Sequence, residues 1–470
     1  MAAPSDAARA RPDESALEET LGALVGELER RFPYASALLA GATGVRVASS
    51  GREQSANEED PSRGAVFTIY DGRSFHELAT SDLAPDALAV AVRGWAGGIQ
   101  LVPGGPPLIA PSHALHQDFA TPMKVDPNTV PLADKLARVT DLQARGQALD
   151  PRIVRAQVQY QDRAEERTYV GRGRRLRQRL QRVSLAVLLI ASDGEQTRYH
   201  FVPGGGSGGY ELATISDRAL DEAGAVALRL LQAERLEPGE YAVVTDSSVS
   251  GVIAHECFGH GVEMDLFPKG RARSAQYLNQ RVAAPGVDMY DDPTVPGAFG
   301  SYFFDDEGAL ATRTQILRDG LLVQPISDLT SSTLVRGART ANGRRQDFTR
   351  KVYVRMSNTF FGSGDVDPEA MLAGLERGIY LRQAESGMED PMGWGIQVTA
   401  HYGEEYVDGA PTGKRFAPIG ISGYVPDLLQ SINAIGTDMK LDSGMCGKGH
   451  KEMVPVASGG PHLRMKARLG

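Results

Sequence analysis

The chain has 470 residues, of which 41% are hydrophobic and 23% are charged, and its formal net charge is −9. This composition is ordinary for a globular protein with two or three domains, and the acidic balance argues against binding to a nucleic-acid backbone. No apolar run approaches the roughly 18 residues that a membrane-spanning helix needs. The two cysteines, Cys257 and Cys446, exclude a disulfide scaffold, and we expect a cytoplasmic location.

The first half of the chain predicts an N-terminal α/β domain over residues 14–237. Residues 1–13 lack the apolar segment of a secretory signal, and we expect a disordered tail. Apolar residues at helical spacing predict helices over 14–31, 86–95, 132–148 and 216–235. Alternating and β-branched runs predict strands of an antiparallel sheet over 45–50, 65–70, 75–80, 153–160, 168–170 and 183–191. Between them, residues 97–128 are rich in proline and glycine and predict a long irregular connection.

Residues 238–470 predict a β-rich C-terminal domain, so the fold class is α+β. A buried strand is expected over 241–245, and the segment 249–264 that follows it predicts a helix. Short strand signals then alternate with glycine, aspartate and proline, and the last helical signals cover 368–377 and 426–431. The helix at 249–264 therefore lies within a domain that consists mainly of strands.

That helix carries His255-Glu256-Cys257-Phe258-Gly259-His260, which combines two imidazoles with a carboxylate. Such a set can bind a metal and supply a proton acceptor, as in hydrolytic zinc sites. The histidines are five residues apart, which on a regular helix separates their side chains by about 140°. A single π-type turn would bring them to one face. The motif therefore predicts a metal site only together with a locally widened helix.

Two histidines are too few for a catalytic zinc ion, which usually has three protein ligands. Cys446 is the foremost candidate for the third, because it lies in a glycine-rich segment and thiolates bind zinc well. The other candidates are His401, His450, Asp305, Asp306 and Glu307. The alternative is a buried pair of hydrogen-bonded histidines without a metal. Cys257 follows the glutamate in the motif and is interpreted as a core residue.

The C-terminal half resembles the TldD/PmbA family of metalloproteases, on the catalytic TldD side. The segments that carry the resemblance are 251–261 (GVIAHECFGHG), 305–308, 342–345, 355–359, 378–380, 436–442 and 446–448. The resemblance implies a mononuclear zinc peptidase with His255, His260 and Cys446 as ligands and Glu256 as the general base. It also implies unfolded or short peptide substrates, and a homodimer or a heterodimer with a related subunit that lacks the motif.

Some segments depart from the family pattern or remain open. The loop after Cys446 is one residue shorter than usual, which places His450 near the metal-binding loop and leaves a substrate-binding, supporting or competing role open. Residues 381–395 look like an insertion that affects substrate specificity. Arg344 and Arg345 are candidates for binding a peptide carboxylate, with solvated arginines in a turn as the alternative.

Several other signals have a plainer explanation. The acidic run 305–307 is interpreted as a strand end before a glycine turn rather than as a second metal site. The six arginines of 171–182 predict a solvated strand face rather than a nucleic-acid stripe, because no aromatic residues are interleaved. The stretch 205–209 (GGSGG) matches a serine-hydrolase pattern, yet its composition indicates a flexible loop. His113 and His116 are expected at the surface. The competing function is a non-catalytic, zinc-stabilised partner or regulatory subunit of a TldD-like heterodimer. The acidic composition argues against a third function, that of a nucleic-acid-binding regulator.

Overall fold

The structure, a computed structural model, describes residues 14–108 and 113–470, and the predicted tail 1–13 lies outside the described residues. The predicted α+β fold class is confirmed, with helices packed on largely antiparallel sheets and a separate sheet system in each half of the chain. The α-helices of the described residues are α1 (Glu14–Glu29), α2 (Pro85–Gly97), α3 (Leu132–Gln147), α4 (Asp217–Leu230), α5 (Ser247–Ala254), α6 (Leu329–Val335), α7 (Pro368–Ala373) and α8 (Val425–Gln430).

The first half forms a sheet with the strand order β3-β2-β1-β5-β6-β4, in which β7 also pairs with β6. Its strands are β1 (Tyr34–Ser49), β2 (Gln54–Tyr70), β3 (Phe75–Thr80), β4 (Leu115–Ala120), β5 (Ile153–Gly171), β6 (Arg174–Ser192) and β7 (Thr197–Ser207). Helices α1 and α2 pack on one hydrophobic core of this sheet, and α3 and α4 pack on another. The helices therefore cover the sheet in two pairs.

Strand β3 has the predicted bounds, whereas β1, β2, β5 and β6 are longer than predicted. Residues 34–40 of β1 are all buried, so they lack the alternation that reveals a half-exposed strand. Strand β4 lies in the proline- and glycine-rich connection that was expected to be irregular, and it runs parallel to β6. That expectation was wrong for residues 115–120. The prediction of a flexible loop at 205–209 was also wrong in part, because residues 205–207 are the last three residues of β7. Both segments become ordered by pairing with β6.

Strand β6 contacts the second half of the chain through even-numbered residues between Arg174 and Arg182. Arg174 and Arg182 are buried there, so the predicted solvated face was wrong for these two arginines. Arg174 Nη1 donates to the carbonyl of Gly308 at 2.9 Å, and Arg182 Nε donates to that of Phe299 at 2.7 Å. Buried carbonyl groups require donors, and long arginine side chains supply them across this contact. Charge on this strand therefore serves the packing of the two halves.

The second half contains two larger sheets, with strand orders β11-β10-β9-β14-β21-β20 and β15-β8-β22-β18-β16-β17. Its strands are β8 (Gly239–Thr245), β9 (Met289–Asp291), β10 (Thr314–Arg318), β11 (Leu321–Leu322), β12 (Gly343–Arg344), β13 (Tyr353–Val354), β14 (Asn358–Phe361), β15 (Arg377–Asp390), β16 (Gly395–Val407), β17 (Ala410–Phe416), β18 (Ile419–Tyr424), β19 (Ala434–Ile435), β20 (Lys440–Lys448), β21 (Glu452–Gly460) and β22 (Leu463–Leu469). Helix α5 contacts β14, β20 and β21 of the first sheet and β8, β15 and β16 of the second. The helix with the histidine motif is thus enclosed between two sheets.

Residues 381–395, predicted to be an insertion, form most of β15 and the turn of the antiparallel β15–β16 hairpin. Its tip is anchored by Trp394, which is fully buried and whose ring centroid lies 5.6 Å from that of Phe258 in the motif. The hairpin is therefore part of the folded core. Within the described residues, no helix combines the length and the apolar character needed to cross a bilayer.

Candidate metal centre

Helix α5 begins and ends at well-defined positions. Asp246 caps its first turn, because its Oδ1 accepts a hydrogen bond of 2.9 Å from the backbone N–H of Val249. Val249 and Ile253 are fully buried in the main core of the second half. At its C-terminal end the helix widens into a π-helical turn over His255–Gly259, and Phe258 there has φ −127° and ψ 18°.

This π turn brings the two motif histidines together. Their ring centroids are 5.1 Å apart, and the ring planes are nearly perpendicular, at 89°. Gly259 leaves room for Met356 at this point, since a Cβ atom there would lie 2.0 Å from the Sδ of that side chain. The five-residue spacing, which a regular helix could not accommodate, therefore fits the widened turn observed here.

Cys446 reaches the histidines from β20, an edge strand of the first sheet. Its Sγ lies 3.5 Å from His260 Nε2, and the potential ligand atoms of His255, His260 and Cys446 all lie within 4.8 Å of one another. Zinc–nitrogen and zinc–sulfur bonds of about 2.0 and 2.3 Å place tetrahedral donors at such separations. Among the described residues, these three form the only group of His, Cys, Asp or Glu side chains close enough to share an ion.

The donor set also fits zinc chemically. The Nδ1 atom of His255 is buried and has no hydrogen-bond partner among the described residues, which is unusual for a buried polar atom. Burial opposes a thiolate at Cys446, but the two neighbouring imidazoles outweigh this and hold the pKa of the thiol well below its usual range. A thiolate is the form of cysteine that binds metals. Two imidazoles and one thiolate leave a fourth position open, as in catalytic zinc sites.

His260 is oriented by Glu263, which the sequence did not single out, and by Lys448, which lies in one of the segments that carry the family resemblance. Glu263 Oε2 accepts from His260 Nδ1 at 3.1 Å and from Lys448 Nζ at 3.0 Å, and Lys448 also donates to Asp265 Oδ1 at 2.8 Å. Although burial opposes its ionisation, Lys448 and His260 lower the pKa of Glu263 to about 2. An ionised Glu263 only accepts, so Nδ1 carries the proton and Nε2 faces Cys446. The spacing of Glu263, three residues after His260, was the available sequence signal.

The strand that carries Cys446 is also held in place. Arg355, which is almost completely buried, donates through Nη2 to the carbonyl of Cys446 and through Nη1 to that of Glu452 at 3.1 Å. These bonds join the neighbouring strands β20 and β21 at the position of the thiol. Arg355 lies in one of the segments that carry the family resemblance, but its role depends on contacts that the sequence could not reveal.

Glu256 lies beside the three potential ligands and makes no hydrogen bond or ion pair among the described residues. Its side chain occupies the space above Gly387, where a Cβ atom would lie 2.5 Å from Glu256 Cγ. Burial raises the pKa of Glu256 above its ordinary value, although the nearby histidines oppose that shift. A carboxylate of raised pKa in a shielded position is suited to accept and return a proton.

The three potential ligands and Glu256 line a cavity of about 990 Å³. Strand β7 and helix α4 of the first half form one side of it, and α5, β15 and β20 of the second half form the other. Residues 382–389 of β15 line the cavity, and they belong to the segment 381–395 that was predicted to be an insertion. The cavity therefore lies between the two halves of the chain, with the histidine motif in its wall.

The structure does not bring the predicted substrate-binding residues to this cavity. Arg344 donates to the carbonyl of Pro455 at 2.8 Å, and Arg345 forms an ion pair with Glu77 at 2.8 Å. Both are buried beside a second cavity of about 510 Å³, so they are not solvated arginines in a turn either. His450 is exposed in the turn between β20 and β21.

The remaining ligand candidates also lie elsewhere and are already paired. His401 Nδ1 lies 2.6 Å from Glu385 Oε1. The acidic run does precede a turn at Gly308, as predicted, and it is paired there: Arg339 contacts Asp305 at 2.7 Å and Glu307 at 2.9 Å. Arg167 contacts the third member, Asp306, at 2.6 Å. As expected, Cys257 is a buried core residue and His113 and His116 are exposed.

Comparisons with known proteins agree with this geometry. The profile of the PmbA/TldA metallopeptidase C-terminal domain matches residues 238–468, and that of the central domain matches residues 125–231. A metalloprotease of Methanothermobacter thermautotrophicus is 32% identical over 346 residues, which are 72% of this chain and 74% of the relative. A zinc metalloprotease TldD homolog of Saccharolobus solfataricus is 27% identical over 256 residues, 54% of this chain and 55% of that protein.

The fold has a counterpart among solved structures. A Thermotoga maritima protein described as a modulator of DNA gyrase superposes with a TM-score of 0.78, covering 97% of this chain and 100% of its own. The sequence identity of that pair is 17%, so the match concerns the fold alone.

Proposed function

Because the chain belongs to the TldD/PmbA metallopeptidase family, we propose that it is a zinc-dependent peptidase that hydrolyses unfolded or short peptides. The observation that carries the proposal is the convergence of His255, His260 and Cys446 beside Glu256 in the wall of one cavity. In this proposal the first three residues hold one zinc ion per chain and Glu256 is the general base. Zinc bound there supplies Lewis acidity that activates water and polarises the scissile carbonyl.

The protein's own residues account for the proton transfers and the orientation of the site. Glu256 accepts a proton from the attacking water and returns it to the leaving amine. Its raised pKa supports both steps, because a very weak base would accept poorly. Glu263 keeps His260 in the tautomer whose Nε2 faces the ligand cluster, and Lys448 holds Glu263 in its ionised form.

Strand β20 offers a way to align an extended peptide. It pairs with β21 along one edge, and its residues Ser443, Gly444 and Met445 line the cavity just before Cys446. A peptide that pairs with an exposed strand edge is held by main-chain hydrogen bonds, largely independently of its sequence. Unfolded chains can pair in this way, whereas folded proteins present few free backbone groups.

The alternative function, a non-catalytic subunit stabilised by zinc, does not require a buried carboxylate beside the ligands. The position of Glu256 therefore favours catalysis. We further propose a dimer, either of this chain with itself or with a related subunit that lacks the motif. Light scattering of the purified chain alone, and after mixing with such a subunit, would distinguish these two assemblies.

The proposed function is tested by metal analysis together with cleavage of an unfolded polypeptide, with and without a chelator. We expect about one zinc per chain, chelator-sensitive cleavage, and a Glu256→Gln variant that keeps zinc but loses hydrolysis. Cleavage by that variant at the wild-type rate would remove Glu256 from the mechanism. A chain without zinc after purification and reconstitution would contradict the proposal as a whole.

A further inference from the structure

Glu389 is an acidic residue of the cavity wall that the proposed chemistry does not use. It lies two residues after Gly387 on β15, in a regular stretch of pairing with β16, so both positions face the same side of the strand. On that side of the strand, the side chain of Glu256 packs against Gly387. A Cβ atom built on Gly261 would lie 2.6 Å from Glu389 Oε1, so the carboxylate lies against the backbone directly after His260.

Among the described residues, the carboxylate of Glu389 forms no ion pair with a lysine, arginine or histidine. Both of its oxygen atoms are buried, and neither has a hydrogen-bond partner among the described residues. Two other acidic residues of the cavity do have cationic partners: Glu263 contacts Lys448 at 3.0 Å, and Asp442 contacts Lys440 at 2.8 Å. A buried carboxylate without a donor is costly, and a cationic donor brought in by a ligand would remove that cost.

The cavity as a whole favours cations. Its acidic lining residues are Glu222, Asp246, Glu256, Glu263, Glu385, Glu389 and Asp442, and its lysines and arginines are Arg382, Lys440 and Lys448. Each of these three basic residues is already within ion-pair distance of an acid. Lys440 and Lys448 form the pairs given above, and Arg382 lies 3.9 Å from Glu404. A cleft lined by an excess of one charge attracts ligands of the opposite charge.

The position of Glu389 relative to the histidines is fixed by packing. Trp394, in the turn that follows β15, contacts Phe258 of the π turn and lies with its ring centroid 4.7 Å from that of Tyr277. The turn itself is closed by Asp390, which accepts hydrogen bonds from the backbone N–H groups of Met392 and Gly393, both at 3.0 Å. The hairpin is therefore a rigid element, on which a recognition residue can be positioned accurately.

We propose that Glu389 is a specificity residue that binds an ammonium or guanidinium group of the peptide substrate close to the scissile bond. The inference rests on the proposed peptidase function and adds a substrate class to it, namely peptides with a positive charge at one defined position. That charge has two possible sources, a lysine or arginine side chain or a free N-terminal amine, and both would donate N–H groups to the two carboxylate oxygens.

The test uses the full-length zinc-loaded protein and matched fluorogenic peptides. In one series a single lysine replaces norleucine at each position around the cleaved bond, and in the other a free N-terminus replaces an acetylated one. We expect kcat/KM to be about tenfold higher for the cationic member at one position or at the terminus. The series that shows the preference identifies the source of the charge.

In Glu389→Gln, which keeps the size of the side chain, we expect this preference to fall to about one, with zinc content and unfolding temperature as in the wild type. The matched control is Glu222→Gln, which removes the same charge from an exposed position of the same cavity and should retain the preference. A preference that survives in Glu389→Gln would overturn the proposal. An equal loss of kcat/KM for both peptides of a pair would also overturn it, since Glu389 would then act on the reaction rather than on substrate charge.

A binding measurement separates this inference from the proposed function. Fluorescence anisotropy of the same peptides with Glu256→Gln protein should show tighter binding of the cationic member, and adding Glu389→Gln should abolish the difference. If the wild-type protein cleaves none of the peptides but this difference is present, the peptidase proposal fails and the cation site stands. If cleavage is observed but no binding or kinetic difference depends on Glu389, only the cation site fails.

Discussion

The hydrogen bond between Glu263 and His260 can be weakened without removing either side chain, by the substitution Glu263→Gln. The amide oxygen of glutamine can still accept from His260 Nδ1, so the geometry is retained while the negative charge is lost. The carboxylate makes the imidazole a stronger ligand and fixes its tautomer. Its loss should therefore weaken zinc binding rather than prevent folding.

The size of the effect follows from the surroundings of the pair. Changes to such outer partners of a metal-binding histidine reduce metal affinity by about 10- to 100-fold. Because the hydrogen bond itself survives in Glu263→Gln, we expect the lower end, about tenfold, which corresponds to about 1.4 kcal/mol of binding free energy. Lys448 keeps one carboxylate partner, Asp265 at 2.8 Å, so it is not left as an unpaired buried charge.

The assay is competition between the purified apoprotein and a chromophoric zinc chelator at pH 7, with thermal unfolding of each apoprotein as the folding control. The matched control is Asp265→Asn, which removes a carboxylate from the same lysine but does not touch His260. We expect its zinc affinity to remain close to that of the wild type. The reasoning is refuted if Glu263→Gln binds zinc as tightly as the wild type, or if Asp265→Asn weakens binding to the same degree.

Three further predictions concern stability. Trp394→Ala should lower the free energy of unfolding by about 3–5 kcal/mol, measured by denaturant titration, because this ring is fully buried in the core. Arg339→Met should cost about 3–5 kcal/mol in the same measurement, since it leaves the buried carboxylate of Asp305 and the half-buried carboxylate of Glu307 without their cation. A loss no larger than that caused by substituting an exposed arginine would contradict this view. Burial lowers the pKa of His200 from 6.5 to about 3, so the unfolded chain binds the extra proton first and stability falls as the pH drops below about 6.5. In thermal unfolding between pH 7 and pH 4, His200→Gln should flatten this fall, and an unchanged slope would assign the acid sensitivity to other groups.

The parts of the site that follow from local geometry could be predicted from the sequence. The helical period alone required a widened turn between His255 and His260, and a π turn is found at that place. The third ligand could not be predicted from local geometry, because Cys446 is 186 positions from His260 in the chain. Residue chemistry left several candidates open, and only the family resemblance selected one of them. Local spacing therefore predicts a turn, whereas ligands from distant strands depend on the fold.

The misjudged features share a physical cause. Arg174 and Arg182 looked solvated because arginine is usually exposed, and the carbonyl groups that hold them belong to a segment more than a hundred residues away. The same holds for Arg344, which was predicted to bind a peptide carboxylate. It donates instead to the backbone carbonyl groups of Met356 and of Pro455 in β21. A sequence shows which side chains carry charge. The buried carbonyl groups that accept hydrogen bonds from these side chains can be identified only once the positions of the strands are known.

The π turn connects catalysis with substrate recognition in this fold. It places His255 and His260 side by side, and the same departure from helical geometry at Phe258 presents that ring to Trp394 at the tip of the β15–β16 hairpin. The wall that carries Glu389 is therefore packed on the turn that aligns the proposed ligands. A change that relaxed the turn to a regular helix would have two effects at once. It would separate the histidine side chains by about 140° around the helix axis, and it would remove the contact of Phe258 with Trp394 that supports the hairpin. Metal binding and the acidic wall are thus expected to be lost jointly by changes in the turn, but separately by changes in Glu263 or Glu389.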